Sequence, residues 1–171
     1  MPESSTHATA HPPTSTASPA VAASSLACAG DIEADLAAAS HYDVHVLISA
    51  ATETQVEAIA RLIHGHSARA AHGLVVVDCG SLPGGGDDLA RASARVSAAA
   101  SDGTVLLARV ERLTIRAQTE ILDLLEPTIA PGASPRVMAG TTADLPSPVT
   151  SGRFSAALFY RLNTLHLRVS R

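Results

Sequence analysis

Short apolar runs alternate along the chain with stretches in which apolar residues recur at every third or fourth position. Runs bounded by polar residues are typical of strands buried on both faces, and the longer spacing indicates helices with one apolar side. The five runs lie at 44–49, 74–78, 104–108, 136–141 and 164–169. The helical spacing occurs at 31–39, 55–64, 87–100, 114–125 and 151–162.

This regular alternation of strands and helices predicts an α/β fold. Connections between parallel strands are right-handed and lay helices against the sheet, so both of its faces become covered. We therefore expect a parallel five-stranded sheet with helices on both faces. Asp31 is expected to cap the first helix, because its short acidic side chain can accept a hydrogen bond from the first turn.

Composition divides the 171 residues into a tail and one domain. Residues 1–25 are rich in Ser, Thr, Ala and Pro and hold too little apolar surface to offset chain entropy, which predicts a disordered tail. Residues 26–171 are predicted to form the α/β domain. Hydrophobic residues make up 46% of the chain and aromatic residues only 2%, so the core should be built from aliphatic side chains.

Charge and cysteine content narrow the possible functions. The formal net charge is −4 and the pI is near 6.0, so we do not expect the basic face of a nucleic-acid-binding protein. No apolar run approaches the length of a membrane span, and the N-terminus lacks the pattern of a secretory signal. Cys28 and Cys79 form no CxxC pair, and the cytoplasm is therefore the expected compartment.

The first strand, its loop and the following helix form the arrangement in which phosphate-binding proteins carry a glycine-rich loop. The loop at 49–54 contains no glycine, and none follows before Gly65. All 12 basic residues of the chain are arginines, so a lysine that would neutralise phosphate is also missing. The sequence has the frame of a phosphate site without its usual chemistry.

A cluster of metal-binding residue types offers one alternative chemistry. His64, His66, His72 and Cys79 lie within one stretch of the chain, but their spacing fits no standard zinc pattern. We therefore predict no metal site.

Six segments in order along residues 31–171 resemble the AAA+ ATPase module, or sigma-54 interaction domain, of bacterial sigma-54-dependent transcription activators. The segments are VLI (46–48) with Glu57, IHGHSAR (63–69), VVVDCGSL (75–82), GTVLL (103–107), RVMAGTTADL (136–145), and GRF (152–154) with LFYRLN (158–163). The resemblance implies the P-loop NTPase fold of an AAA+ α/β subdomain. The family's helical lid and its GAFTGA loop have no counterpart in these residues.

The family's catalytic positions carry other residue types here. Its Walker A loop, Gly-Glu-x-Gly-x-Gly-Lys-Glu, falls on Ala50, Ala51, Thr52, Glu53, Thr54, Gln55, Val56 and Glu57. Ala50, Glu53 and Gln55 take the place of the glycines, and Val56 takes that of the lysine. The two Walker B acids, which hold magnesium and orient the attacking water, fall on Ala108 and Arg109.

Of three further family positions, two carry another residue type and one is retained. The sensor I asparagine falls on Thr142, and of the two arginines offered to a neighbouring subunit one falls on Ser155, so only Arg161 is retained. The resemblance therefore implies a degenerate and truncated module. We expect a pseudo-ATPase without ATP or magnesium as cofactor, with Arg161 at a possible interface.

Three functions remain open. The first is a non-catalytic regulatory module that contacts a sigma-54-type activator or another AAA+ subunit, without binding nucleic acid or membrane. The second is a sigma-54 interaction domain that still binds ATP weakly, through adenine contacts from the segment before the first strand. The third is a decaying gene fragment with no function of its own.

Overall fold

Five parallel strands form one sheet in the computed structural model, which describes residues 32–81, 103–125 and 135–169. The strands are β1 (Val46–Ser49), β2 (Leu74–Asp78), β3 (Thr104–Ala108), β4 (Arg136–Thr141) and β5 (Leu165–Arg168). Their order is β2-β3-β4-β1-β5. The first strand therefore lies inside the sheet, between the two strands that come last in the sequence, and the predicted parallel five-stranded sheet is confirmed.

Five α-helices are described around this sheet. They are α1 (32–41), α2 (Glu53–Gly65), α3 (Ile115–Leu124), α4 (Pro146–Thr150) and α5 (Ala156–Leu162). Short 3₁₀ helices follow β2 and β3, at Cys79–Ser81 and Val110–Arg112. None of the helices in the described part of the chain has both the length and the apolar character needed to cross a membrane.

Alternate side chains of the strands enter two aliphatic cores. Val46 and Ile48 of β1 pack with α1 and α2 on one face of the sheet, whereas Leu47 packs with α3 and α5 on the other. Apart from Phe154 and Cys79, the buried hydrophobic side chains of the described residues are Ala, Val, Leu, Ile and Met, which agrees with the aliphatic core that the composition predicts. The helices on both faces are thereby confirmed.

Polar side chains of α2 and of the turns that follow it form hydrogen bonds near the amino ends of the strands. His64 Nδ1 lies 2.9 Å from Thr104 Oγ1, and its Nε2 lies 3.1 Å from the carbonyl oxygen of His72. Arg69 donates to both carboxylate oxygens of Asp43, at 2.9 and 2.6 Å, and to the carbonyl oxygen of Gly103 at 3.0 Å. These residues of the family pattern have structural roles in the described part of the chain.

The predicted helix at 151–162 is wrong in its first half. Helix α4 begins with Pro146 and ends before Ser151, and a turn with Gly152 in the left-handed conformation (φ +70°) follows it. The hydroxyl of Ser155 then accepts a hydrogen bond from the Leu158 amide and starts α5. The left-handed glycine and the serine cap therefore delay the start of the predicted helix from residue 151 to Ala156.

Other predictions agree with the structure or lie outside the described residues. The predicted bounds of β2, β3 and β4 match, and α3 differs from its prediction by one residue at each end. The tail at 1–25, the Asp31 cap and the helix at 87–100 fall outside the described residues.

Candidate functional site

The start of α2 is capped by its own side chains. Thr52 Oγ1 accepts a hydrogen bond from the Gln55 amide, and Gln55 Oε1 accepts one from the Thr52 amide, both at 3.2 Å. This reciprocal arrangement satisfies donors that a helix otherwise leaves open at its first turn. Glu53 adds a carboxylate to the same turn, where negative charge complements the helix dipole.

The side chain at the family's lysine position belongs to the apolar core. Val56 is 3% exposed and lies in the cluster that contains Leu106 and Met138. A methyl group added to Gly140 of β4 would overlap Val56 Cγ1, so the valine fills the space above this glycine. The position from which a lysine would reach phosphate is therefore occupied by packed hydrocarbon.

Arg109, at the second Walker B position, pairs with the end of the neighbouring strand. Its Nε donates to Asp78 Oδ1 at 2.7 Å, and a second guanidinium nitrogen contacts Asp78 Oδ2. Glu53 Oε1 lies 3.6 Å from the same Nε. Arg109 has left-handed backbone angles (φ 57°, ψ 48°), and a side chain on Gly80 would collide with its guanidinium group.

Hydrogen bonds fix the charge of this ion pair. The Arg109 guanidinium holds the pKa of the Asp78 carboxyl below its ordinary value, helped by Ser81 and the Gly80 amide. In return, the pKa of Arg109 is raised, first by its hydrogen bond to Asp78 and also by Glu53. Both groups are charged at neutral pH, and the protonated guanidinium of Arg109 cannot accept a proton as a general base.

A cleft of 190 Å³ joins these residues at the carboxyl ends of β2, β3 and β4. Its charged lining consists of three carboxylates, from Glu53, Glu57 and Asp78, and the guanidinium of Arg109. Ala108 and Thr142 also line it. The structure thus brings the Walker A, Walker B and sensor I positions of the sequence together, although their residue types differ from those of an ATPase.

Ala50, Ala51 and Thr54, at three of the Walker A positions, do not line the cleft. Ala50 is 6% exposed, and its amide donates to the carbonyl oxygen of Thr141 at 3.2 Å. Ala51 and Thr54 are exposed at the surface. Glu57, the one residue of the family motif that is retained at its last position, pairs with Arg61 one turn along α2, with 2.5 Å between Oε1 and a terminal guanidinium nitrogen.

Arg161 lies away from the cleft and binds within the chain. Its Nε and a terminal nitrogen donate to the carbonyl oxygen of Leu125, at 3.3 and 3.0 Å. Leu125 caps the end of α3, so Arg161 satisfies a carbonyl that the helix leaves open. A role of Arg161 at an interface stays a prediction.

The pairing of Asp78 with Arg109 is the feature that sequence reasoning missed. Strand pairing places Asp78 opposite Ala108, so the next residue, Arg109, lies beside the carboxylate. Aligning the polar ends of two consecutive parallel strands would have been a signal for this contact.

Comparison with known sequences places the chain in a family. The sequence profile of the sigma-54 interaction domain matches residues 22–171. The anaerobic nitric oxide reductase transcription regulator NorR of Klebsiella pneumoniae is 32% identical over 161 residues, covering 80% of this chain and 30% of NorR. The hydrogenase transcriptional regulatory protein HoxA of Bradyrhizobium diazoefficiens is 34% identical over 148 residues, covering 72% of this chain and 30% of HoxA.

Solved structures show the same fold at lower sequence identity. The P-loop NTPase domain of the Sigma-54 transport activator from E. coli superposes with a TM-score of 0.65 and 20% identity, covering 83% of this chain and 94% of that domain. NtrX from Brucella abortus in complex with ADP gives a TM-score of 0.68 at 19% identity, covering 82% of this chain and 35% of NtrX. The chain spans about a third of the length of the curated relatives it matches. The profile match, the two regulators and the shared fold together show that this chain belongs to the sigma-54 interaction domain family.

Proposed function

We propose that this domain is a non-catalytic module of sigma-54-dependent transcription regulation, which acts through protein contacts and does not hydrolyse ATP. The observation that carries the proposal is the buried side chain of Val56 packed against Gly140, where the family has a lysine. A packed valine offers no charge to phosphate, and it blocks the approach that a glycine-rich loop leaves open.

Electrostatics support the same proposal. Three carboxylates and one guanidinium line the cleft, so its formal charge is negative, and a nucleotide polyphosphate would meet repulsion. The guanidinium is already bound to Asp78, and withdrawing it for a ligand would leave that carboxylate unpaired. Like charges brought together in a confined site cost several kcal/mol.

The residue types at the Walker B positions also support the proposal. The side chain of Ala108 has no oxygen to bind magnesium or orient water, and the side chain of Arg109 is a hydrogen-bond donor only. No group of three or more potential metal-binding side chains occurs among the residues that the structure describes. With neither a metal ligand nor a base at these positions, phosphoryl transfer would lose the groups on which it depends.

Isothermal titration calorimetry with Mg-ATP tests the nucleotide part of the proposal. We expect no measurable heat of binding and no release of phosphate from ATP. Thermal unfolding with ADP and, separately, with adenosine checks for weak binding through the base. We expect neither ligand to change the unfolding midpoint of the protein alone. A micromolar dissociation constant for Mg-ATP, or a midpoint raised by ADP, would support the weak ATP-binding domain instead.

The proposed partner is a sigma-54-type activator or another AAA+ subunit. NorR and HoxA are named as transcription regulators, and this chain matches only part of each, so the partner of this chain is itself part of the proposal. Affinity purification of the tagged chain from its own cells should enrich an AAA+ regulator. The Arg161→Ala variant should enrich less of it if Arg161 lies at the contact. Recovery of no AAA+ protein would contradict the assignment.

A further inference from the structure

A second cleft, of 370 Å³, opens at the carboxyl ends of β1, β4 and β5. In parallel α/β sheets, ligands bind outside the carboxyl ends of the strands where the connections of neighbouring strands leave in opposite directions. Here β1 continues into α2 on one face of the sheet, and β4 continues toward α5 on the other. The cleft therefore lies at such a switch point, separate from the side chains of Val56 and Arg109.

The inner wall of this cleft is apolar. Leu47 of β1, Leu145 before α4 and Phe159 of α5 line it, and the first two are at most 2% exposed in the molecule. Pro146 and Val169 extend the lining toward the opening. A mostly apolar cavity of this size with a few polar groups is typical of small-molecule sites.

The polar wall is a hydrogen-bonded chain of three side chains. Ser49 Oγ lies 2.9 Å from His166 Nε2, and Arg168 Nε donates to His166 Nδ1 at 3.3 Å. Since a guanidinium group only donates, Nδ1 must be the acceptor, and the remaining imidazole proton sits on Nε2 and is donated to Ser49. Burial, with the charge of Arg168, lowers the pKa of His166, which agrees with a neutral ring. The Ser49 hydroxyl hydrogen is then left to donate to a ligand.

Charge in this cleft favours a single anionic group. Arg168 forms no ion pair with any carboxylate in the described ranges, and its bond to His166 uses only Nε. Its terminal nitrogens form the fork that binds carboxylates in a bidentate manner. Asp144 also lines the cleft, and its negative charge would repel a polyanion such as a nucleoside triphosphate.

We propose that this cleft binds a small amphipathic monocarboxylate, with the carboxylate held by Arg168 and Ser49 and the apolar body against Leu47, Leu145 and Phe159. His166 is a positioning residue, because it holds both polar side chains and does not itself need to touch the ligand. The site requires no nucleotide, so it stands or falls independently of the proposed loss of ATP chemistry.

Titration with 2-naphthoate, followed by ¹⁵N–¹H NMR, tests this site. We expect saturable shifts confined to residues around the cleft, and no saturation with the neutral analogue 2-naphthylmethanol at the same concentrations. Arg168→Gln should weaken naphthoate binding about tenfold, because the bidentate charged contact is lost. Ser49→Ala should weaken it about threefold through loss of one hydroxyl donor.

Arg116→Gln is the matched control, since Arg116 is an exposed arginine on α3 that pairs with Glu120. It changes the net charge as Arg168→Gln does but should leave naphthoate affinity unchanged. Arg168 is exposed, so its substitution should preserve the NMR spectrum of the folded domain. Equal affinity for the acid and the alcohol, equal weakening by both arginine variants, or no saturation up to about 5 mM would overturn the proposal.

Discussion

Val56 and Gly140 form a contact between α2 and β4 that depends on the size of both side chains. The glycine leaves the space that the valine fills, and at 3% exposure the valine has little freedom to move away. Interiors are packed closely enough that one extra methyl group in such a place is felt. This pair therefore provides a direct test of how the lysine position is used.

Gly140→Ala should destabilise the domain by about 1–3 kcal/mol, because the new methyl group overlaps Val56 and neither backbone can easily yield. Urea unfolding measures the change in free energy. The double variant Gly140→Ala with Val56→Ala should be more stable than Gly140→Ala alone, since the truncated side chain makes room. Strictly additive losses in the two single variants would show that these side chains do not compete for the same space.

Asp78 gives a pH-dependent prediction. Its pKa is lowered by Arg109, so the ionised carboxylate adds stability above its ordinary pKa of 3.8, and this contribution is lost as pH falls through the lower folded value. Asp78→Asn should lower the urea midpoint at pH 7 by only about 0.3 M, because the side chain is 39% exposed and water screens the pair.

The difference between wild type and Asp78→Asn should shrink once the pH is below the folded pKa, where both side chains are neutral. Glu57→Gln is the matched control, since it also removes one carboxylate from an ion pair, that of Glu57 with Arg61 at the surface. A difference at pH 7 that persists unchanged into strong acid would mean that the charge of Asp78 is not the source of its effect.

At the scale of elements, capping residues set the limits of the helices more closely than apolar spacing does. Thr52, Thr114 and Ser155 each accept a hydrogen bond from the amide three residues later, at the starts of α2, α3 and α5. Helix α2 consequently begins at Glu53, two residues before its predicted start at Gln55. The caps therefore explain why α2 and α5 begin at residues other than those that the apolar spacing predicts.

Gln118 joins α3 to the turn before α5 with all of its polar atoms buried. Its Nε2 donates to the carbonyl oxygens of Leu113 and Arg153, at 2.9 and 3.1 Å, and its Oε1 accepts from the Ser155 amide at 2.7 Å. Gln118→Ala should cost about 2–3 kcal/mol, because three backbone groups lose their partner. Thr119→Ala, at the exposed neighbouring position, should change stability by less than about 0.5 kcal/mol. A similar loss in both variants would assign the effect to helix propensity.

At the scale of the whole molecule, the two aliphatic cores share one sheet. Ile63 of α2 and Leu158 of α5 are both fully buried but lie on opposite faces. Because strands β1, β3 and β4 contribute side chains to both cores, loss of one core should remove the support of the other. The domain should therefore unfold in a single transition.

Ile63→Ala and Leu158→Ala should each lower the free energy of unfolding by about 2–5 kcal/mol, and each should shift the whole circular dichroism transition. Two separate transitions in either variant would show that the faces unfold independently. Soluble expression with cooperative unfolding would also count against a decaying gene fragment, whereas an aggregated product would support it.

The amino-acid sequence by itself determined the α/β class, the five strands, the aliphatic core and the family, because these follow from local apolar spacing and from residues in fixed order along the chain. It also determined which residue types occupy the Walker positions. It did not determine the place of β1 inside the sheet, since strand order depends on how helices cross its faces.

Only the tertiary structure decided what the changed residues do. Arg109 meets Asp78 across 31 positions of sequence, Val56 meets Gly140 of another strand, and Ser49 meets His166 across 117 positions. Such contacts depend on strand register and on how the chain crosses between strands. The local spacing of residues determines neither. The sequence therefore showed which residue types stand at the Walker positions, and the fold showed that Val56 is packed in hydrocarbon and that Arg109 forms an internal ion pair.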